Sequence, residues 1–430
     1  MEKLVEPFPT DLTQNSKTSE ATESTFYEKI FFKALSRMKK GSVRVYLPNG
    51  EETHLGDPNS EFPNKFHSAQ IQIRNVDFFR KSVFYGDIGF SEAYMAGDWE
   101  TDNIENVISW FLLNVESSVS LSGAKKKLFH LDLLSLGNKF LHFLRKNTIR
   151  GSRKNIVEHY DLGNGFYKLF LDPSMTYSSA YFRSWEETLE EAQAAKVDLL
   201  CQKLNLKPGD SLLEIGSGWG FLALHAAKKY GCMVKTVTLS DEQYRFAKER
   251  FAKEGLSDRI EIEVRDYRTL EGQFDKIVSV EMLEAVGDAY YEAFFAKCQD
   301  LLKEDGILAL QVITCPDSRF DSLKKGVDFI QKHIFPGSLL PSIGRLNQAT
   351  RRTGDLFLFD LEDMGLHYAR TLRLWGSAYE ENLASVREQG FSETFLRKWR
   401  YYLAYCASAF QMRNISVVQM VFTRPNNLKI

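Results

Sequence analysis

From about residue 190 onwards, the apolar residues of the chain follow two alternating patterns. Short continuous apolar runs, typical of buried strands, are separated by segments whose apolar residues lie on one face of a helix. A helix over 189–204 begins this region. The predicted strands are Ser211–Ile215, Met233–Val237, Ile260–Val264, Phe274–Val280, Ile307–Ile313 and, near the end of the chain, Val417–Thr423. Because helices separate the strands, we expect right-handed crossovers and a mostly parallel sheet.

The part of the chain before residue 117 follows a different pattern. Residues 1–24 are polar and lack an apolar stretch, so they predict a disordered tail rather than a signal peptide. Residues 25–116 predict a small α+β domain. Its expected elements are a first helix capped by Ser24 or Thr25, a hairpin of Val43–Leu47 and Glu51–Leu55, a strand Ala69–Ile73, and helices over Val76–Tyr85 and Asn103–Leu113.

Residues 117–154 combine basic and apolar side chains. Nine lysines and arginines stand against a single acid, Asp132, and leucines and phenylalanines lie between them. A basic amphipathic helix can lie on an anionic membrane surface with its apolar face down. An interdomain linker helix with a solvated basic face explains the pattern equally well. The sequence leaves both interpretations open.

Composition narrows the class of protein. The 430 residues are 43% hydrophobic and 26% charged with a net charge of −2, which indicates a globular protein and gives no case for nucleic acid binding. No apolar run is long enough to cross a bilayer. The five cysteines are scattered without a C-x-x-C pair, so we expect reduced thiols, no metal site and a cytoplasmic protein.

The most informative segment follows the first strand of the alternating region. Glu214–Gly220 reads E-x-G-x-G-x-G, and a helix is predicted from near Trp219. Glycine allows close approach of a ligand to the backbone, and a strand–turn–helix unit places that ligand at the carboxyl end of a parallel sheet. A glycine-rich turn without a ligand is the alternative. The spacing resembles motif I of the S-adenosylmethionine-dependent methyltransferases. It implies an α/β, Rossmann-like class I methyltransferase fold with a mostly parallel seven-stranded sheet over residues 155–430.

Residues at successive strand ends are the candidates for holding this methyl donor. Amides that open the helix can favour its carboxylate, and polar side chains after the second and third strands can meet its ribose and adenine. Each side chain alone is explained equally well as a cap or a loop hydrogen bond; Ser240 and Gln243, for example, form a predicted capping-box pair. The candidates are Glu214, Gly216, Ser217, Gly218 and Gly220 in the turn, Thr238, Leu239, Ser240 and Gln243 after the second strand, and Asp266 and Tyr267 after the third.

Further motifs are similar to those of the cyclopropane-fatty-acyl-phospholipid synthases. They occur in order over nearly all of the chain after the polar tail. The matching segments are Gly89–Trp99, His159–Asn164, Met175–Phe182, Ser279–Gly287, Ile334–Gly337 and Tyr401–Phe410. The resemblance implies S-adenosylmethionine as donor, the double bond of a phospholipid acyl chain as acceptor, and Tyr177 and Ser178 in the donor site. It also implies a peripheral position at the inner face of a membrane. Whether the protein forms a homodimer is left open by the sequence.

The chemistry of such a reaction explains the residue types. A double bond is a weak nucleophile, so alignment and exclusion of water matter. Attack on the methyl group leaves a carbocation, which the aromatic faces of Tyr177, Tyr181, Phe182 and Trp375 can stabilise. A base must then remove a proton. Removal from the new methyl group closes a cyclopropane ring, whereas removal from a neighbouring carbon leaves a methyl branch and a relocated double bond.

In the family that base is a bound bicarbonate, and this chain matches its ligand set only in part. Glu284 stands at the family's glutamate position, and Ile313 at the position that contributes backbone. The family's cysteine is Ser179 here, its histidine is Gln311, and its tyrosine is Gly376. These three changes speak against bicarbonate binding and, with it, against ring closure.

A glutamate also stands where the family usually has glycine. Glu281 lies three residues before Glu284, on the same side of a helical turn if the segment is helical. Paired carboxylates can raise one pKa and produce a base, so one hypothesis is that Glu281 or Glu284 replaces the carbonate. A solvated residue at a helix start is the other interpretation. Cys406 matches a family cysteine, but direct methyl transfer needs no thiolate, so a packing role is expected.

Four functions therefore compete. The first is cyclopropane formation on acyl chains, and the second is methyl or methylene branching by the same family. A non-catalytic lipid-binding or lipid-transfer protein and a small-molecule methyltransferase are the others. The intact glycine turn argues against the non-catalytic protein, and the small domain with its basic linker argues against the small-molecule enzyme.

Overall fold

The computed structural model describes residues 26–57, 59, 68–114 and 162–429. The chain forms two compact units, residues 1–131 and 132–430. The predicted polar tail, the proposed caps Ser24 and Thr25, and the basic linker over 117–154 lie outside the described residues.

The first unit is an α+β structure with a four-stranded sheet. Helix α1 spans 26–35, and the sheet order is β2-β1-β3-β4. The predicted hairpin is confirmed, because β1 and β2 pair antiparallel with Val43 opposite Leu55. The third strand then pairs parallel to β1. The elements are β1 (Ser42–Tyr46), β2 (Glu52–Gly56), β3 (Ser68–Ile73), β4 (Trp99–Glu100), α2 (Asp77–Ala96) and α3 (Ile104–Leu113).

Helix α2 is longer than the predicted Val76–Tyr85. At Gly86 the chain takes a left-handed φ of 58° and then resumes the helix to Ala96. A second glycine explains how the two helical halves fit, because a Cβ on Gly89 would lie 2.0 Å from the carbonyl oxygen of Lys81. The prediction stopped at the first glycine, where a helix often ends.

The second unit is a doubly wound α/β structure. Its sheet has the order β10-β11-β9-β8-β5-β6-β7. Strands β7, β6, β5, β8 and β9 are parallel, and β11 and β10 add antiparallel pairs at one edge. This is the predicted mostly parallel, seven-stranded sheet. The strands are β5 (Ser211–Ile215), β6 (Met233–Thr238), β7 (Ile260–Val264), β8 (Phe274–Val280), β9 (Leu302–Thr314), β10 (Phe357–Asp363) and β11 (Ser416–Thr423).

Helices cover both faces of this sheet, and neighbouring residues of a strand serve opposite faces. Leu213 belongs to the core on one side and Leu212 to the core on the other. No helix among the described residues is long and apolar enough to cross a membrane. The helices are α4 (Gly163–Tyr167), α5 (Leu189–Lys203), α6 (Phe221–His225), α7 (Asp241–Lys253), α8 (Tyr291–Leu301), α9 (Asp317–Lys325), α10 (Phe329–His333), α11 (Ile343–Thr353), α12 (Gly365–Glu381), α13 (Leu383–Glu388) and α14 (Glu393–Gln411).

Candidate functional site

The glycine turn begins where β5 ends. Gly216, Gly218 and Gly220 all take positive φ values, of 99°, 48° and 85°. The backbone N–H groups of Gly216 and Ser217 donate to the carbonyl of Val237 on β6, at 3.0 and 2.9 Å. No atom lies within 4 Å of the place where a Cβ on Gly218 would be. The turn is therefore pinned to the sheet at its start and open at Gly218.

Gly220 meets a different constraint. A Cβ there would lie 2.7 Å from the ring of Phe251 and 2.9 Å from the side chain of Ala247, both on α7. Helix α6 begins at the next residue and continues from Ala226 as one π-helical turn. The third glycine thus serves helix packing, whereas the second leaves space beside the turn.

The residues after β6 form a closed hydrogen-bond set. Ser240 caps α7 by accepting from the N–H of Gln243 at 3.3 Å. The return half of the predicted capping box is absent, because the Ser240 N–H donates to Thr238 Oγ1, whose hydroxyl donates to the Gln243 side chain at 2.8 Å. Thr238, Ser240 and Gln243 are buried, and Leu239 between them is half-buried. These side chains hold one another at the strand end.

Asp266 lies after β7, as the pattern predicted, but it has a partner that the sequence reasoning missed. Its carboxylate receives the guanidinium of Arg268 through Nε and Nη2, at 2.8 and 2.6 Å. The same carboxylate accepts the backbone N–H of Arg268. Tyr267 packs against the ring of Phe294 in the core. The aspartate is therefore held rigidly at the strand end.

Glu214 is buried beneath the turn. Thr236 Oγ1 donates to its carboxylate at 2.6 Å. Burial raises the pKa of Glu214 to about 8, against the lowering effect of Thr236 and Lys196. Glu214 is thus a buried residue of β5, one position before the end of the strand, and Thr236 fixes its carboxyl group.

The segment Tyr177–Ser179 runs alongside the carboxyl edge of the sheet. The Tyr177 hydroxyl lies 2.9 Å from that of Tyr402, and its ring lies 5.3 Å from the rings of Tyr167 and Trp375. Ser178 Oγ accepts from the ammonium of Lys196 at 2.6 Å.

Glu281 is the centre of a group of donors. Its carboxylate accepts the backbone N–H of Ser179 at 2.8 Å, the Gln311 side-chain amide at 2.8 Å and the Tyr368 hydroxyl at 2.9 Å. Burial raises its pKa, while Lys196 and these donors lower it. The interpretation of Glu281 as a solvated residue is wrong, because its carboxylate accepts three hydrogen bonds from within the protein.

The backbone explains why this position suits glycine. Glu281 has a φ of 48°, in the left-handed region where a side chain is strained. Its N–H donates to the carbonyl of Gln311 at 2.7 Å. The condition for Glu281 and Glu284 to share one side of a helical turn is not met, because the short 3₁₀ helix begins only at Leu283.

Glu284 nevertheless lies near Glu281. One of its carboxyl oxygens accepts the backbone N–H of Ile313. The other, Oε2, is buried without a hydrogen-bond partner among the described residues. Burial, together with the charge of Glu281, raises the pKa of Glu284 to about 8. The structure therefore brings together two carboxyl groups, and burial raises the pKa of each.

Two of the three replaced family positions, Ser179 and Gln311, meet at Glu281. Ser179 contributes its backbone N–H, whereas its hydroxyl donates to Ala180 O. Gln311 is oriented by Gln419, which donates to Gln311 Oε1 at 3.1 Å across β9 and β11. Gly376 faces open space, with no atom within 4 Å of the place where a Cβ would be. A tyrosine from elsewhere on α12, Tyr368, supplies the phenol.

Two further predictions concern Cys406 and metal binding. Cys406 is a free cysteine on α14, and burial raises the pKa of its thiol. A raised pKa fits a packing residue rather than a nucleophile. In the part of the chain that the structure describes, no group of acids, histidines and cysteines is arranged to hold a metal ion.

The sequence reasoning missed three residues that position the site. Arg250 on α7 donates to the carbonyls of Pro173 and Ser174 at 2.8 Å and to that of Trp219, so it joins the Tyr177 segment to the glycine turn. Lys196 and Tyr368 were missed as well. A lysine within the apolar face of α5 was the one available signal, since lysine is seldom fully buried without a function or a partner.

The chain resembles known proteins over most of its length. Residues 147–420 match the family model described as mycolic acid cyclopropane synthetase. The chain is 38% identical to the cyclopropane-fatty-acyl-phospholipid synthase of Escherichia coli, over 84% of this chain and 90% of that protein. It is 35% identical to a tuberculostearic acid methyltransferase of Mycobacterium tuberculosis, over 89% and 88%.

A solved structure extends the comparison. The mycolic acid cyclopropane synthase CmaA1, complexed with SAH and CTAB, is 34% identical with a TM-score of 0.60 over 63% of this chain and 98% of that one. Sequence and architecture thus agree over most of the second unit. By both measures, this chain belongs to the mycolic acid cyclopropane synthetase family of S-adenosylmethionine-dependent methyltransferases.

Proposed function

We propose that this protein transfers one carbon from S-adenosylmethionine to the double bond of an unsaturated acyl chain of a membrane phospholipid, with Glu281 as the proton acceptor. The observation that carries the proposal is the three-donor environment of the Glu281 carboxylate. The Glu281 carboxyl group follows the end of β8 and lies near Glu284, at the carboxyl edge of the sheet where α/β folds bind their ligands.

The residues of the glycine turn fit the cofactor. Gly218 leaves a space that a Cβ would enter, and the turn is fixed on both sides by Val237 and Arg250. Thr238 fixes the side-chain oxygen of Gln243, so that the Gln243 amide nitrogen would meet the ribose, and Asp266 offers a carboxylate near Tyr267. Tyr177 and Ser178 form the opposite wall. Bound S-adenosylmethionine supplies an electrophilic methyl group on a sulfonium sulfur.

Aromatic side chains would stabilise the cationic acyl chain that follows methylation. The rings of Tyr177 and Trp375 lie 5.3 Å apart, and Phe335 adds a third ring 6.5 Å from Tyr177. Phe335 belongs to the apolar loop over 334–341, whose Leu339 N–H donates to the Glu284 carbonyl at 2.8 Å. This loop would guide the acyl chain and exclude water. Tyr181 and Phe182 instead stack against His367, so we assign them no part in this step.

Glu281 would remove the proton. In this step a C–H bond of the cationic chain breaks, its electron pair forms the new carbon–carbon bond or double bond, and the proton passes to Glu281. The donors Ser179 N–H, Gln311 and Tyr368 hold the carboxylate in one orientation. Bicarbonate is then unnecessary, because Ser179 and Gln311, which stand at two of its expected ligand positions, already donate to Glu281.

The test is turnover in bicarbonate-free buffer with unsaturated phospholipid vesicles. We expect the wild type to be active with or without bicarbonate and Glu281→Gln to lose about 10²-fold or more in kcat. Glu261→Gln, at an exposed position on β7, is the matched control and should stay active. Activity that requires bicarbonate and ignores Glu281→Gln would contradict the proposal.

A branched product is the second candidate. The three changed bicarbonate ligands favour it, and so does the identity to a tuberculostearic acid methyltransferase. Mass spectrometry of the product before and after hydrogenation separates the two outcomes. An alkene branch takes up two hydrogen atoms, whereas a cyclopropane keeps its mass under mild conditions.

We also propose that the protein works peripherally at the cytoplasmic face of a membrane. The acyl acceptor resides there, and the basic residues of 117–154 complement anionic lipid. Sedimentation with vesicles tests this. Binding that rises with anionic lipid and falls with salt supports the proposal, and equal recovery in the supernatant with and without vesicles contradicts it.

A further inference from the structure

Lys196 is a buried cation inside the proposed site. It lies on α5, and the residue is 1% exposed. Among the described residues, Ser178 Oγ is its one hydrogen-bond partner, at 2.6 Å. An ammonium withdrawn from water with a single neutral partner is costly, so a nearby negative charge must stabilise it.

Helix α5 is hydrogen-bonded to the segment Ser178–Ser179, which in turn donates to Glu281. One turn before Lys196, the Gln193 amide donates to the Ser178 carbonyl at 2.9 Å. The next residue along the segment is Ser179, whose N–H donates to Glu281 Oε1 at 2.8 Å. Two consecutive residues therefore connect Lys196 to Glu281. Ser178 accepts from the Lys196 ammonium, and Ser179 donates to the Glu281 carboxylate.

Other ionisable side chains surround both Lys196 and Glu281. Asp172, Glu214 and Glu281 face Lys196, and Glu281 exerts the largest of their effects. Lys196, Glu284 and Tyr368 face Glu281. Glu214 and Glu284 both have pKa values raised to about 8, so they are mainly neutral near pH 7. Burial lowers the pKa of Lys196 to about 8, which leaves it mainly charged there.

We infer that Lys196 is a positioning residue for the proton-accepting step: held on Ser178, its ammonium is the buried counter-charge that keeps the Glu281 carboxylate ionised. The inference rests on the proposed role of Glu281. It assigns to Lys196 no contact with the substrate. It also links the donor side of the site, where Ser178 lies, to the base.

The first test is the pH profile of kcat for Lys196→Met. Without the ammonium, Glu281 should take up its proton at higher pH, so the acidic limb should move upward by ~1 unit, equivalent to about a tenfold loss on that limb. Lys203→Met is the matched control, because Lys203 lies on the same helix but pairs with Glu362 at 3.1 Å on β10. Its limb should not move. An unmoved limb in Lys196→Met would overturn the inference, since a structural role lowers activity without shifting it.

A second measurement does not depend on activity or on the folding of Lys196→Met. Coupling between two charges is reciprocal, so Glu281→Gln should lower the pKa of Lys196, followed by NMR of ¹³Cε-labelled lysine and assigned with Lys196→Arg. The lowering should equal the upward shift of the limb. A Lys196 titration that Glu281→Gln leaves unmoved overturns the inference. Retention of full turnover by Glu281→Gln would instead refute the proposed base, whatever the titration shows.

Discussion

Replacing Gly220 with alanine should destabilise the second unit far more than the same change two residues earlier. A Cβ at Gly220 would lie 2.7 Å from the Phe251 ring and 2.9 Å from Ala247, at a φ of 85°. The left-handed backbone costs an alanine roughly 1–2 kcal/mol. The overpacked contact with α7 adds about 1–3 kcal/mol. The free energy of unfolding should therefore fall by about 2–5 kcal/mol, which lowers Tm by on the order of 10 °C.

Gly218→Ala is the matched control. Its φ is also positive, at 48°, but no atom lies within 4 Å of the added Cβ, so only the backbone cost applies. Thermal unfolding without cofactor, followed by circular dichroism, gives both values. Adding Phe251→Leu to Gly220→Ala should recover part of the loss, because it removes the ring that the Cβ meets. Equal losses for the two alanine variants, or no recovery in the double variant, would refute the packing argument.

Three other substitutions test the site. Tyr368→Phe removes one donor from Glu281, so its pKa should rise and the acidic limb of kcat should move upward by ~1 unit; an unchanged limb in a pH–rate measurement would contradict this. Arg250→Met releases the bonds that join the Tyr177 segment to the glycine turn, and calorimetry with S-adenosylhomocysteine should show about tenfold weaker binding, whereas equal binding would refute that role. Glu214 has a pKa of about 8 in the folded state against 4.5 unfolded, so the folded state binds more protons and wild-type stability should fall as pH rises between those values. Glu214→Gln should flatten that fall in Tm, and identical slopes would count against the buried-acid argument.

The sequence predicted most of the sheet because its central strands are continuous apolar runs between helices. It missed β10, whose apolar residues Phe357, Phe359 and Leu361 face outward and are 43%, 54% and 38% exposed. A strand is recognised from sequence when its apolar residues alternate with polar ones and face the core. In β10 the alternating apolar residues face outward, so this rule does not identify the strand. Helix α2 was predicted too short for a different reason. Gly86 looks like the end of a helix, but the helix resumes after it.

The site was predictable at its strand ends and not between them. The glycine turn and the residues after β6 and β7 follow from local pattern. The donors around Glu281 come from positions far apart in the chain, Ser179, Gln311 and Tyr368, and only the fold brings them together. The left-handed backbone of Glu281 was equally hidden, because a single sequence shows the residue type but not the dihedral angle that it adopts.

If the base is the Glu281 side chain, the reaction does not depend on a base dissolved in the medium. A dissolved anion reaches an active site in proportion to its concentration, and hydrogencarbonate declines as a medium turns acidic and loses carbon dioxide. A side chain has a fixed local abundance that dilution and degassing leave untouched. The rate of lipid modification by this protein would then depend on the concentrations of the methyl donor and the unsaturated lipid, and it would be the same at low and at high carbon dioxide.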